Sequence, residues 1–278
     1  MQEAADKLRD SVPGTSLPRQ FSQSLLTLLF PTSCPVCGSE LTESARGGVC
    51  GTCWEALEAW TGAVCSRCGL PLAAGPGSTD WLCGDCRLER PRFDCARSYG
   101  IYAGKLRTAI LEVKFHRRER LALPLGRLLI EPWLALQAAF GLQGPWLILP
   151  VPLHPSRERE RGYNQAALLA RGFARALRQR GGSDGFQFDR RTLTRNRSTA
   201  PQSGLSVQAR RENVRGVFKA AATKHLRDRD VILVDDVMTT GATASACAAE
   251  LKRRGARRVA VLALARATPE FPDVTSRR

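Results

Sequence analysis

The sequence predicts an α/β fold, a mostly parallel sheet flanked by helices, with a small cysteine-stapled module ahead of it. Three observations carry this. Short, wholly apolar runs recur in the second half of the chain. Amphipathic helical patterns lie between them, as parallel strands buried on both faces require. Nine of the ten cysteines fall within residues 31–95, a stretch with little hydrophobic periodicity.

The strand candidates are Trp146–Val151, Val231–Val234 and Val259–Leu264. Asn164 can cap a helix that sets Leu169, Phe173, Ala176 and Leu177 on one face. Thr243–Arg254 reads as a second helix, stopped by Gly255. Strand, loop, helix and strand over Val231–Leu264 form a βαβ unit. Gly181–Gly185 reads as a surface turn. The expected organisation is a leader over 1–30 with a short helix at Phe21–Phe30, a cysteine module over 31–95 and an α/β domain over 96–270.

Composition bounds the class. With 278 residues, 43% hydrophobic and 24% charged, the chain has enough apolar material for a sizeable core and is not a disordered polymer. The net charge of +16 and pI near 10.1 favour polyanionic partners, although the arginines are spread along the whole chain. Met1–Asp10 has no apolar signal core, and Phe21–Phe30 falls short of the roughly 20 residues a membrane span needs. The expectation is a cytoplasmic protein without a membrane span, in a compartment that keeps thiols reduced.

Eight cysteines form four Cys-x-x-Cys pairs: Cys34/Cys37, Cys50/Cys53, Cys65/Cys68 and Cys83/Cys86. Twelve residues separate the first two pairs and fourteen the last two. Each pair places two thiolates on one tight knuckle, and two knuckles complete a tetrahedral zinc site. Gly38, Gly51, Gly69 and Gly84 follow or sit within the knuckles. Sequential pairing gives two structural Zn²⁺ sites, and a cross-braced pairing is open on spacing alone. A redox motif would open a helix after a strand and occur once. Cys95 and Cys247 are left over and read as small core residues.

The sharpest string is Val231-Ile232-Leu233-Val234-Asp235-Asp236-Val237-Met238-Thr239-Thr240-Gly241-Ala242-Thr243. A buried strand delivers two acids to its carboxyl end, and a small-residue turn leads into a helix. Ligands of open α/β sheets bind at that edge. Adjacent carboxylates suit vicinal ribose hydroxyls, and the turn offers backbone N–H groups, hydroxyls and a helix N-terminus to a phosphate. Leu147–Pro155 reads as a strand with a Pro-rich turn. Arg157, Arg159 and Arg161 follow it and match phosphate oxygens or form a solvated face with the intervening glutamates. Leu193–Leu205 is a basic, polar stretch suited to a closing loop or a plain surface loop.

The thirteen-residue string resembles the PRPP-binding signature of type I phosphoribosyltransferases. That resemblance assigns Asp235 and Asp236 to the ribose hydroxyls, and Thr239, Thr240, Gly241, Ala242 and Thr243 to the 5′-phosphate, with Mg²⁺ accompanying PRPP. Position 239 is an acid in some purine enzymes of that superfamily and is Thr here. The order of motifs is wider still. The knuckles precede Leu111-Glu112-Val113-Lys114-Phe115, Pro150-Val151-Pro152-Leu153-His154-Pro155, Arg161-Gly162-Tyr163-Asn164-Gln165, Gln202-Ser203-Gly204-Leu205-Ser206 and Asn213-Val214-Arg215-Gly216-Val217-Phe218. This resembles the ComF family of competence-associated phosphoribosyltransferase-like proteins over about Leu25 to Arg266.

The resemblance implies a double zinc ribbon, a type I phosphoribosyltransferase fold and a link to DNA uptake. It also implies Lys114 and Arg161 as catalytic diphosphate contacts and Gln202 as part of a mobile loop. Its implied partners are PRPP and single-stranded DNA or a competence or recombination protein. His116-Arg117-Arg118 stands where many relatives carry a glycine-containing turn. His116, His154 and His225 have no metal-ligand spacing. Two functions remain in view: Mg²⁺-dependent phosphoribosyl transfer, and a non-catalytic PRPP or nucleotide sensor that engages single-stranded DNA.

Overall fold

The computed structural model of the chain describes residues 33–41, 45, 47–72, 81–141, 145–181, 185–197, 209, 213–214, 216–221 and 226–268. The expected leader helix and Gln202 lie outside them. The central feature is a five-stranded, all-parallel sheet. Its strands are β1 (Cys95–Ile101), β2 (Trp146–Pro150), β3 (Phe186–Phe188), β6 (Asp230–Met238) and β7 (Arg258–Arg266), in the spatial order β1-β7-β6-β2-β3. A separate antiparallel pair joins β4 (Leu193–Arg195) to β5 (Phe218–Ala220).

Each long strand follows from its residues. Val231–Val234 and Val259–Ala265 are wholly buried, because helices cover both faces of the sheet. The strand expected over Val231–Val234 runs on to Met238, so the two acids lie inside it rather than at its end. Alternation then turns Asp235 and Asp236 to opposite faces. The expected basic loop at Leu193 begins instead as β4; its remainder after 197 lies outside the described residues.

One face is covered by α3 (Gly104–Phe115), α4 (Glu119–Arg127), α5 (Ile130–Phe140) and α7 (Gln165–Gln179). Trp133 sits edge-on to Trp146 at 5.0 Å and to Phe173 at 6.2 Å, locking α5 and α7 to β2. The backbones of α4 and α7 touch where they cross. A Cβ on Gly172 would stand 2.3 Å from the Leu123 carbonyl oxygen, and one on Gly126 2.3 Å from that of Leu169. The other face carries α8 (Ala242–Arg253), with Cys247, Ala248 and Leu251 fully buried.

The caps behave as their residues predict. Asn164 accepts hydrogen bonds from the backbone N–H of Ala166 (3.0 Å) and Ala167 (3.4 Å) at the start of α7. Gly255, at φ +98°, lies just beyond the C-cap of α8. Asp230, fully buried at the head of β6, is clamped by Arg257 at 2.8 Å and Arg258 at 2.7 Å.

The cysteine knuckles pack against this sheet. Two short helices, α1 (Gly51–Glu55) and α2 (Gly84–Leu88), begin at the second and fourth pairs. Tyr99 on β1 donates from Oη to the Leu57 carbonyl at 2.6 Å, and Trp60 N–H donates to the Tyr99 carbonyl at 2.8 Å. Ala96 N–H donates to the Arg67 carbonyl at 2.8 Å. The first cluster joins the apolar core on the α5 face, and the second joins the core on the α8 face.

Candidate functional site

The strand order reverses between β2 and β6. The connection through α7 leads to one side and that through α8 to the other, and a crevice opens at the carboxyl ends of both strands. A cleft of about 350 Å³ occupies that switch point. From β2 and its turn come Val151, Pro152 and Leu153; from β6 and the following turn come Asp235, Val237, Met238, Thr239, Gly241, Ala242 and Thr243. Lys114 from α3, Arg157 and Arg161 from α6 (Pro155–Arg161) and Arg195 from β4 add the cations.

The loop is shaped by Gly241, at φ +77°. A Cβ there would crowd only Met238 Cε at 2.9 Å, the movable end of a flexible side chain, so it is the left-handed backbone that calls for glycine. Thr240 Oγ1 accepts from Ala242 N–H at 3.3 Å, ahead of the Gly241 N-cap, and α8 begins one residue earlier than the sequence predicts. Thr239, Gly241, Ala242 and Thr243 line the cleft, whereas Thr240 lines a second cavity behind the loop.

The two acids part company. Asp235 lines the cleft and accepts from Asp236 N–H at 2.9 Å. Burial, followed by the charge of Asp236, pushes its carboxyl up to about 8. Asp236 is buried; its Oδ1 accepts from Val237 N–H at 2.6 Å and its Oδ2 forms an ion pair with Lys114 Nζ at 3.0 Å. Burial alone would lower the Lys114 ammonium, but the attraction of Asp236 outweighs it and holds Lys114 above its ordinary range.

The Arg161–Gln165 segment is fixed from two sides. Tyr163 Oη donates to the Val113 carbonyl beside Lys114, and Asn164 Nδ2 donates to the Val151 carbonyl at 3.1 Å. Arg161 Nη1 then donates to Gln165 Oε1 at 3.0 Å, with its guanidinium 5.2 Å from the Phe115 ring centroid. Arg195 is lowered by burial and next by the like charge of Arg157. Arg159 is exposed and does not line the cleft. Sequence reasoning gave Arg157 and Arg195 no advantage over their basic neighbours, because only the tertiary path of α6 and β4 selects them.

His154 serves structure: its Nδ1 accepts from Ser156 N–H at 3.3 Å at the N-cap of α6. His116 Nδ1 lies 3.0 Å from Glu112 Oε1. His225 lies outside the described residues.

The cysteines gather into two clusters, Cys34/Cys37/Cys50/Cys53 and Cys65/Cys68/Cys83/Cys86. The pairing is therefore sequential. Within each cluster one atom per residue lies within 4.8 Å of every other. Cys37 and Cys50 Sγ are 3.7 Å apart, and Cys68 and Cys83 Sγ 3.6 Å. A tetrahedron with Zn–S bonds of about 2.3 Å has edges of about 3.8 Å, so the sulfurs fit a zinc ion. Backbone N–H groups of Cys68 and Cys83 point at Cys65 Sγ at 3.5 and 3.4 Å, as donors to a thiolate do. Cys95 and Cys247 stand apart in the core, and burial pushes the Cys95 thiol up to about 12. No helix among the described residues is long and apolar enough to cross a membrane.

Comparison with known proteins agrees with both halves. A family model described as a double zinc ribbon domain matches residues 25–87, and one described as a phosphoribosyl transferase domain matches residues 163–276. The chain is 35% identical over 239 residues to the DNA utilization protein YhgH of Salmonella typhimurium, covering 86% of this chain and 99% of that protein. It is 31% identical over 224 residues to Competence protein F of Haemophilus influenzae, covering 80% and 92%. Among solved structures, a glutamine phosphoribosylpyrophosphate amidotransferase from B. subtilis aligns at 18% identity with a TM-score of 0.36, over 56% of this chain and 30% of that one.

Proposed function

The chain belongs to the ComF family, double zinc ribbon proteins with a phosphoribosyltransferase domain, and from that premise we propose that its cleft binds PRPP, or another ribose 5-phosphate ester, together with Mg²⁺. The observation that carries the reading is the make-up of the cleft. One lining brings together the loop that opens α8, the carboxylate of Asp235 and four cations, Lys114, Arg157, Arg161 and Arg195.

The 5′-phosphate sits against the turn from Thr239 to Thr243, where N–H groups and the N-terminus of the twelve-residue α8 receive it. The ribose hydroxyls donate to Asp235. A diphosphate at C1 meets Arg161, whose planar fork matches phosphate oxygens, and Arg157 and Arg195 beside it. Lys114 joins them when it leaves Asp236, and Asp236 supports the site through that pair. Carboxylates with diphosphate oxygens suit Mg²⁺, which supplies charge neutralisation of the leaving diphosphate when bound.

These groups do two things that phosphoribosyl transfer needs. They hold the sugar in place, and they set cations where negative charge grows as the C1–O bond breaks. Transfer to a nucleobase also needs an acceptor site. Among the described residues that line the cleft, Asp235 is the sole carboxylate and no histidine appears. That favours, as the second reading, a PRPP or nucleotide sensor without transfer. The names of its relatives connect either activity to competence and DNA use. A basic chain of +16 suits a role beside single-stranded DNA or a competence protein, in the cytoplasm.

Calorimetric titration of PRPP with Mg²⁺ into the zinc-loaded protein tests the reading. Binding is expected in the wild type and is expected to vanish in Asp235→Ala/Asp236→Ala. A folded wild type that takes up no PRPP overturns it. Diphosphate release in a nucleobase screen then separates enzyme from sensor.

A further inference from the structure

The phosphate loop is tied to the second cysteine cluster by one buried cation. Arg266 closes β7 and is 4% exposed. Its Nη1 donates to the Met238 carbonyl at 3.0 Å and also to the Thr239 carbonyl. Its Nη2 donates to Cys68 Sγ at 3.7 Å. Among the described residues no carboxylate pairs with it.

A buried guanidinium is costly without a counter-charge. Four thiolates around one Zn²⁺ carry a net charge of about −2, and Cys68 belongs to such a set. The cluster is thus the counter-charge within reach. The same guanidinium fixes two consecutive peptide planes of the turn. In a trans peptide the C=O and N–H point in opposite directions. Holding the Met238 and Thr239 carbonyls toward Arg266 therefore turns the N–H groups of Thr239 and Thr240 away from it; Thr239 lines the cleft, and Thr240 lines the cavity behind the loop. The backbone of Arg266 is itself held, since Met238 and Arg266 are partners in the β6–β7 register and Tyr102 N–H donates to the Arg266 carbonyl at 2.9 Å.

We propose that Arg266 is a positioning residue through which zinc in the Cys65/Cys68/Cys83/Cys86 cluster sets the affinity of the cleft for a ribose 5-phosphate ester. This rests on the ligand class argued above. The second cluster is then part of the binding site, although it touches no ligand. Binding must be reciprocal: if that zinc favours the ligand, the ligand favours that zinc by the same factor.

The test measures zinc affinity by chelator competition, and PRPP·Mg²⁺ affinity by calorimetry, on the full chain and on Arg266→Met and Arg266→Lys. In the wild type, PRPP is expected to tighten one of the two zinc sites by about tenfold and leave the other unchanged. Arg266→Met, with its circular dichroism unchanged, is expected to weaken PRPP by about tenfold and to erase the linkage. Arg266→Lys restores charge without the two-armed reach and falls between them. Wild-type PRPP affinity in a folded Arg266→Met protein, or PRPP that leaves both wild-type zinc affinities unmoved, overturns the proposal. If wild type binds no PRPP, the ligand class fails instead. The tie is then read without ligand, where Arg266→Met must weaken one zinc by about tenfold, and equal zinc affinities refute it. Should Arg266→Met not fold, Arg266→Lys and the wild-type linkage decide.

Discussion

Replacing Gly172 by alanine sets two effects of opposite sign against each other. Gly172 lies inside α7, and helix propensity alone makes Gly→Ala favourable there by about 1 kcal/mol. The crossing with α4 argues the other way. The new Cβ would stand 2.3 Å from the Leu123 carbonyl oxygen and 3.1 Å from Leu123 Cα. Carbon–oxygen contacts settle near 3.3 Å even when attractive, so the helices must separate by about 1 Å. Both contacts are backbone, so no rotamer change relieves them. Overpacking of this kind costs about 3 kcal/mol, which exceeds the propensity gain and leaves a net loss of about 2 kcal/mol. Gly126→Ala meets the Leu169 carbonyl at the same 2.3 Å and is expected to lose a similar amount. One separation of the helices relieves both clashes, so the double variant is expected to lose less than the sum of the singles. Urea denaturation followed by circular dichroism measures all three. The crossing also bears on the site, because α7 begins at Gln165, whose side chain accepts from Arg161. A Gly172→Ala protein as stable as wild type, or more so, would refute the account of the crossing.

Other consequences follow from the charges. Asp230→Asn keeps the shape but removes the charge shared by Arg257 and Arg258; an expected loss of about 2 kcal/mol is read from urea midpoints. Asp230 is depressed in the fold because its hydrogen bonds to Arg257 and Arg258 outweigh burial. Its contribution is therefore full above the unfolded carboxylate range and fades as pH falls through the folded value, so the Asn variant and wild type should converge in strong acid. Asp235 has the opposite sign. Its folded carboxyl, raised to about 8, keeps a proton that the unfolded chain releases near 3.8, so its cost grows as pH rises between those values. Asp235→Asn is expected to raise Tm at pH 9 and hardly at all at pH 4, checked by thermal melts. Ribose hydroxyls favour the ionised carboxylate, so ligand binding at pH 7 should release close to one proton, seen as a dependence of calorimetric enthalpy on buffer and absent in Asp235→Asn. Stripping zinc with a strong chelator is expected to lower Tm sharply, because both clusters are embedded in the two apolar cores.

Much of this arrangement was legible in the residues. Trp146–Val151 and Val259–Leu264 are uninterrupted apolar runs, and burial on both faces leaves them no other form. Asn164 and Gly255 marked helix ends because side-chain capping and positive φ are local properties. The cysteine spacing indicated two four-sulfur sites, while the choice of sequential pairing is a tertiary outcome. β1 was hidden because Cys95–Ile101 mixes Arg97 and Ser98 with apolar residues and lies at the sheet edge against the knuckles. The acids concealed the true length of β6: a charged pair breaks an apolar run, and here one acid faces an open cleft while Lys114 meets the other. Arg266 could not be singled out among 42 basic residues, since its meaning lies in Cys68, 198 positions away in the chain.

The most direct test of the ligand site is residue-specific. Backbone amide resonances of the isotope-labelled, zinc-loaded protein would be followed while PRPP and Mg²⁺ are added. The largest shifts are expected on Thr239–Thr243, with smaller ones near Asp235, Lys114 and Arg161. Saturable binding whose shifts avoid the Thr239–Thr243 amides would contradict that expectation, because the turn after β6 would then not be where the phosphate sits.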